Sequence, residues 1–178
     1  MIKRRNFYWP DDLWLLFLLY DSYPDVVIGG SFSEHFYTSP ETPNNFKDLD
    51  ISVGKAFLDN FCEKNESARE VMRSDFPYTD FDEMGMWGKK RNHVFFGEVK
   101  YPAKFLMFVD GIMVDAFIST KIQPHNVVEC KGHFLKMMKP EDRLAALDSI
   151  IAAGADRGKK QIVRERRERL LNLLGKNN

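Results

Sequence analysis

Cysteine is scarce in this chain: Cys62 and Cys130 are the only two in 178 residues. Two thiols cannot supply a disulfide framework, and a reducing cytoplasm is the setting that this usage favours. Long apolar runs are missing as well. The longest, residues 13–20, is eight residues, less than half of the roughly 20 that a membrane span needs. Lys3, Arg4 and Arg5 precede it, but no small-residue cleavage pattern follows that would make it a signal peptide. Excess charge of either sign is also absent, because 26 basic residues balance 26 acidic ones. The whole molecule therefore has no electrostatic pull on nucleic acid, although a local one remains open. What the chain does have is 44% hydrophobic residues, 15 of them phenylalanine, enough to core one domain and to argue against disorder. The expectation is a protein of the cytoplasm that does not enter membranes.

The stretch 26–53 organises the rest. Val26, Val27 and Ile28 are β-branched, bounded by Pro24 and by Gly29-Gly30-Ser31, and read as a short buried strand. Ser31 with Glu34 has the spacing of a capping box, so a helix is expected from Ser31 through Phe36. A helix that starts after a glycine turn aims free backbone N–H groups and its positive dipole end at what lies in front, a shape suited to phosphate. In the alternating run that follows, Asp48 and Asp50 are two residues apart, and in a strand their carboxylates leave one face. Paired carboxylates repel one another and need compensation. A divalent cation supplies it, and oxygen ligands suit magnesium or manganese better than zinc. The plainer alternative is one solvated aspartate and one that caps a turn, since Pro43-Asn44-Asn45 just before them reads as loop.

A third carboxylate stands in the clearest hairpin of the sequence. Residues 104–109 and 112–118 flank Asp110-Gly111, a pair that readily supplies two positive-φ positions. In the second arm Ile112, Val114, Ala116 and Ile118 share one face, and Met113, Asp115 and Phe117 the other. Asp115 thus has apolar neighbours on both sides, where a charge without a task is uncommon; pairing with a lysine such as Lys104 is the alternative.

A strand that ends in Gly29-Gly30-Ser31, a helix, Asp48-x-Asp50 in an apolar strand and a later single Asp115 in another strand together resemble the DNA polymerase beta-type nucleotidyltransferase superfamily, in particular its small members. The resemblance covers residues 26–118 as an ordered set. It implies an α+β fold, a nucleotidyltransferase-like mixed β-sheet flanked by helices, with a catalytic core over 1–135 and a C-terminal helical segment over 136–178 packed on or beside it. It implies Gly29, Gly30 and Ser31 at the nucleotide phosphates, and Asp48, Asp50 and Asp115 as metal ligands and catalytic residues. Mg2+ (or Mn2+) would be the cofactor and an NTP the substrate, with transfer of the nucleoside monophosphate to a hydroxyl-bearing acceptor and release of pyrophosphate. The sixteen residues between Ser31 and Asp48 exceed what small members usually carry, and the excess reads as a loop over 38–46.

The rest of the chain is read in outline. Pro10, Asp11 and Asp12 look like a helix start, and the helix to about Tyr20 is apolar nearly all round, as if buried against the sheet. Residues 55–72 have helical spacing at Phe57, Leu58, Phe61 and Cys62. Residues 74–90 read as loop or lid, in which Phe81 and Trp87 either stack on a base or plug the core. Lys89, Lys90 and Arg91 are a solvated face or an approach to the triphosphate, residues 93–99 a strand, and 121–128 a connection past Pro124. His125, Cys130 and His133 offer three ligands to a zinc ion but no evident fourth, and Cys130 with His133 lacks the support a thiol nucleophile needs.

Pro140 opens a helix with a stripe of Leu144, Leu147, Ile150 and Ile151, closed by Gly154. A last helix over about 159–174 would turn Ile162, Val163, Leu170, Leu173 and Leu174 inward. It is basic, with Arg157, Lys159, Lys160, Arg164, Arg166, Arg167, Arg169 and Lys176 against Asp156, Glu165 and Glu168. Such a stripe either steers a nucleic acid or nucleotide phosphates, or is a solvated face laced with ion pairs. It inclines the acceptor toward RNA or a nucleotide-like molecule. A non-catalytic nucleotide-binding or regulatory protein that keeps the fold is the competing reading.

Overall fold

The computed structural model describes residues 5–54, 95–96, 99–100, 103–118, 122–154, 158 and 160–175. The helix expected over 55–72, the lid over 74–90, the basic triplet at 89–91 and Cys62 lie outside them. In chain order the elements are β1 (Phe7–Trp9), α1 (Leu13–Ser22), β2 (Val27–Ile28), α2 (Gly30–Thr38), β3 (Asn44–Phe46), β4 (Leu49–Val53), β5 (Phe95–Phe96), β6 (Val99–Lys100), β7 (Ala103–Val109), β8 (Ile112–Ile118), β9 (His125–Cys130), β10 (His133–Met138), α3 (Pro140–Ala152) and α4 (Lys160–Leu173).

Asp110 and Gly111 take φ of 49° and 76°, the two left-handed positions of a tight turn, and join β7 to β8 in a regular antiparallel register. From that hairpin the six-stranded sheet runs β7-β8-β4-β2-β10-β9. It is mixed: β4 lies parallel to β8 and β2 parallel to β10, while β2 and β4 are antiparallel. Alternation along these strands divides the side chains between two faces. One face brings Ile28, Leu49, Ile51, Val114, Ala116, Leu135 and Met137 into the main core with Leu13, Leu15, Leu16 and Leu19 of α1 and Phe7, Trp9, Phe32 and Phe46. Each large side chain buried there contributes about 1.5–3 kcal/mol. On the other face Val27, Phe117 and Met138 meet Ala146 of α3, and α3 and α4 pack together through Leu144, Leu147, Val163 and Leu170. The result is the mixed sheet flanked by helices, with a C-terminal helical pair, that the sequence suggests. Among the described residues no helix is long and apolar enough to cross a membrane.

Several local readings change. α1 begins at Leu13, and Asp12 is its N-cap residue without a side-chain cap bond, because its carboxylate accepts hydrogen bonds from Arg5 and from the backbone N–H of Tyr8. The helix is not buried all round: Trp14 and Leu18 are exposed. The expected loop over 38–46 contains β3, paired antiparallel with β1. In the described part of 93–99, β5 and β6 form a two-stranded antiparallel pair in place of a single strand. The expected connection over 121–128 already includes the start of β9, which is hydrogen-bonded to β10 along its whole length. β10 spans His133–Met138, so the sheet runs past residue 135. In α4, Ile162 and Leu173 are exposed while Val163 and Leu170 are buried.

The offset of Cys130 and His133 has a backbone origin. They are Cα partners at the mouth of the β9–β10 hairpin, whose two turn residues, Lys131 and Gly132, have φ of 47° and 81°. A two-residue turn imposes that spacing, and no metal is needed to explain it. His133 instead stacks on Phe17 with ring centroids 3.7 Å apart, and His125 is at the far end of β9, paired with Met138.

Candidate active site

β2 is two residues long and ends at Gly29, which remains extended with φ −128° and serves as N-cap of α2. Gly30 then turns left-handed with φ +63°. The turn is fastened to β4: the Gly29 N–H donates to the Asp50 carbonyl at 2.9 Å. The Ser33 hydroxyl donates to the Gly30 carbonyl at 2.9 Å, and Ser31 is half-buried beside it. A Cβ built at Gly30 would lie 1.8 Å from Oδ2 of Asp50. Glycine is therefore required twice, by the backbone angle and by the carboxylate that occupies the space.

β4 carries Asp50 half-buried, and Asp48, also half-buried, immediately precedes the strand. β8 lies alongside in parallel register with Asp115 as the Cα partner of Asp50. Paired residues of a parallel ladder project to the same face, on strands about 4.8 Å apart. Asp115 is 4% exposed. The three elements singled out in the sequence thus meet: the turn at 29–30 touches Asp50, and Asp50 neighbours Asp115. Asp48 is adjacent along the chain.

The oxygen-only donor chemistry of these aspartates suits magnesium or manganese. Among the described residues, however, no group of three or more His, Cys, Asp or Glu is arranged so as to hold a metal ion.

Glu34 does not close a capping box. It lies one helical turn beyond Gly30, buried, where its Oε1 accepts from Arg143 Nε at 2.6 Å and from Arg166 Nη2 at 2.7 Å, and its Oε2 accepts from Arg166 Nε at 2.6 Å. Burial pushes the Glu34 carboxyl up, but the charges and hydrogen bonds of Arg143 and Arg166 outweigh it and hold the group below the usual range. For Arg166, burial pulls the guanidinium down, and Glu34, Asp50 and Asp48 together raise it. Arg166 of α4 is thus within electrostatic reach of both carboxylates at the start of β4. The sequence placed it only in a basic stripe. Nothing in local spacing links it to Glu34, 132 positions away.

No family model matches the chain, and no curated protein does. A crystal structure from Thermotoga maritima, of a protein described as a "putative nucleotidyltransferase", superposes with a TM-score of 0.52 over 88% of this chain and 95% of that one, at 15% identity. The chain has a nucleotidyltransferase-like fold. At that identity the likeness speaks for the fold alone. Within this nucleotidyltransferase-like fold, the glycine turn and the paired strands β4 and β8 are the elements that position Asp50 and Asp115.

Proposed function

We propose that the protein is a nucleotidyltransferase that moves a nucleoside monophosphate from an NTP to a hydroxyl-bearing acceptor and releases pyrophosphate. The observation that carries this reading is the in-register pair Asp50 and Asp115 with Gly30 closed against the Asp50 carboxylate. The three aspartates are not gathered as a ready metal group among the described residues; drawn together on a divalent cation of the magnesium class, Asp48, Asp50 and Asp115 would hold it, and it would neutralise phosphate charge and acidify the acceptor hydroxyl.

The chain's own groups take the remaining tasks. The Gly30 N–H and Ser31 at the start of α2 hold the outer phosphates and fix the triphosphate beside Asp50. The Asp115 carboxylate orients the acceptor hydroxyl and receives its proton as the new oxygen–phosphorus bond forms and the bond to pyrophosphate breaks. The acceptor belongs to the RNA or nucleotide-like class toward which the basic C-terminal helix inclines.

Incubation of the full chain with labelled NTPs, magnesium or manganese and total RNA tests the reading. Label should move to a product, and Asp50→Asn should abolish the transfer. No calorimetric heat with any NTP in excess cation would overturn it. That Asp48, Asp50 and Asp115 do not form a ready metal-holding group among the described residues favours a second reading in which the same site binds nucleotide without turnover. Saturable binding with no label transfer to any acceptor class would establish that one.

A further inference from the structure

The basic stripe of α4 is not one uniform surface. Arg167 turns to α3, where its Nε meets Asp148 Oδ1 at 2.5 Å. Arg166 turns to α2 and grips Glu34 with two nitrogens. Glu34 is also held by the buried Arg143. Two guanidiniums therefore share one carboxylate in a largely water-excluded place.

That place adjoins the candidate site. Glu34 is four residues after Gly30, hence above it on the same face of α2, and Gly30 touches Asp50. The Arg166 side chain keeps 22% of its surface open, and its bonds to Glu34 use Nε and Nη2, so Nη1 is not taken up by that carboxylate. A pinned guanidinium fork matches the geometry of phosphate oxygens and loses little freedom on binding them. A triphosphate would also bring more negative charge than divalent cations held by carboxylates would offset, which favours a fixed protein cation nearby.

We propose that Arg166, carried in by α4 and held in place by Glu34, is the polyphosphate-binding residue of this site. The proposal rests on the nucleotidyl-transfer reading. It gives the C-terminal helix a direct part in substrate binding, with Glu34 as the positioning residue behind it.

The test is calorimetric titration of the full chain, and of its Arg166→Gln, Arg166→Lys and Arg167→Gln variants, with the four common NTPs, the matching NMPs and inorganic tripolyphosphate, all with magnesium. Arg166→Gln should weaken NTP and tripolyphosphate binding by about 10- to 100-fold while changing NMP binding little. Arg166→Lys, which keeps the charge and should fold if the glutamine variant does not, should fall between it and the parent. Arg167→Gln should bind as the parent does. Equal losses for NTP and NMP would mean a merely structural role and overturn the proposal, as would unchanged NTP binding in a folded Arg166 variant. A parent chain that binds no NTP would overturn the nucleotidyl-transfer reading as well, whereas binding by the parent with an indifferent Arg166 leaves that reading standing.

Discussion

Gly30 and Asp50 occupy each other's space: a methyl group on one would overlap the carboxylate of the other, with 1.8 Å between Cβ and Oδ2. Gly30→Ala must therefore displace Asp50 and also hold alanine at φ +63°. The backbone strain alone should cost about 1–3 kcal/mol, and nucleotide binding should be lost. Gly29→Ala makes the contrast. Gly29 is extended, and its added Cβ meets only the flexible end of Met138 at 3.3 Å, so stability should change by less than about 1 kcal/mol. Urea unfolding of the two variants reads the difference, and equal midpoints would contradict this geometry.

The Glu34 cluster should be visible in acid. Its carboxyl is held below the ordinary glutamate range in the folded state, so the unfolded chain takes up that proton first as pH falls. The stabilisation is complete above the ordinary carboxylate range and is lost as pH falls through that range toward the lower folded value. Glu34→Gln should flatten this part of the stability–pH curve. At neutral pH it should cost about 3–5 kcal/mol, because Arg143 and Arg166 both lose the buried carboxylate that they hold. Denaturant melts at stepped pH values check both, and an unchanged acid slope would show that Glu34 does not titrate this way.

Asp50→Asn and Asp115→Asn replace neighbouring like charges by neutral groups of similar shape. Adjacent like charges on paired strands are unfavourable by about 0.2–1 kcal/mol, so neither variant should melt much below the parent. Both should lose manganese binding, measured by electron paramagnetic resonance, together with label transfer. Full manganese affinity in either would remove that residue from the site.

Cys130 is buried at the end of β9, and burial pushes its thiol up, with Lys131 opposing only in part. Native protein carrying Cys62→Ser should react slowly with iodoacetamide at neutral pH and rapidly once unfolded. Fast native labelling would mean that the β9–β10 hairpin opens readily.

The parts of the molecule written in local pattern were legible in advance. Asp110-Gly111 between two alternating runs announced β7 and β8, and Val26, Val27 and Ile28 before two glycines announced the start of the site. The faces of Asp50 and Asp115 followed from the period of two. What local pattern hides is partnership across the fold. Glu34 has capping-box spacing, yet Arg143 and Arg166 reach it from 109 and 132 positions away, and such pairings leave no periodic trace. β9 was obscured because His125-Asn126-Val127-Val128-Glu129 does not alternate polar and apolar residues, with Val127 exposed on the outer strand of the sheet. Cys130 and His133 looked like ligands because a two-residue turn and a metal motif share a spacing.

The tie between Glu34 and Arg166 also orders events during synthesis. While a ribosome is still making the middle of the chain, the helix behind the glycine turn carries an acid with neither of its cations, and the acid gains the second only after residue 166 has emerged. A nascent protein cut short before α4 would therefore hold the buried Glu34 carboxylate by Arg143 alone, with α2 kept in place by Phe32 in the core.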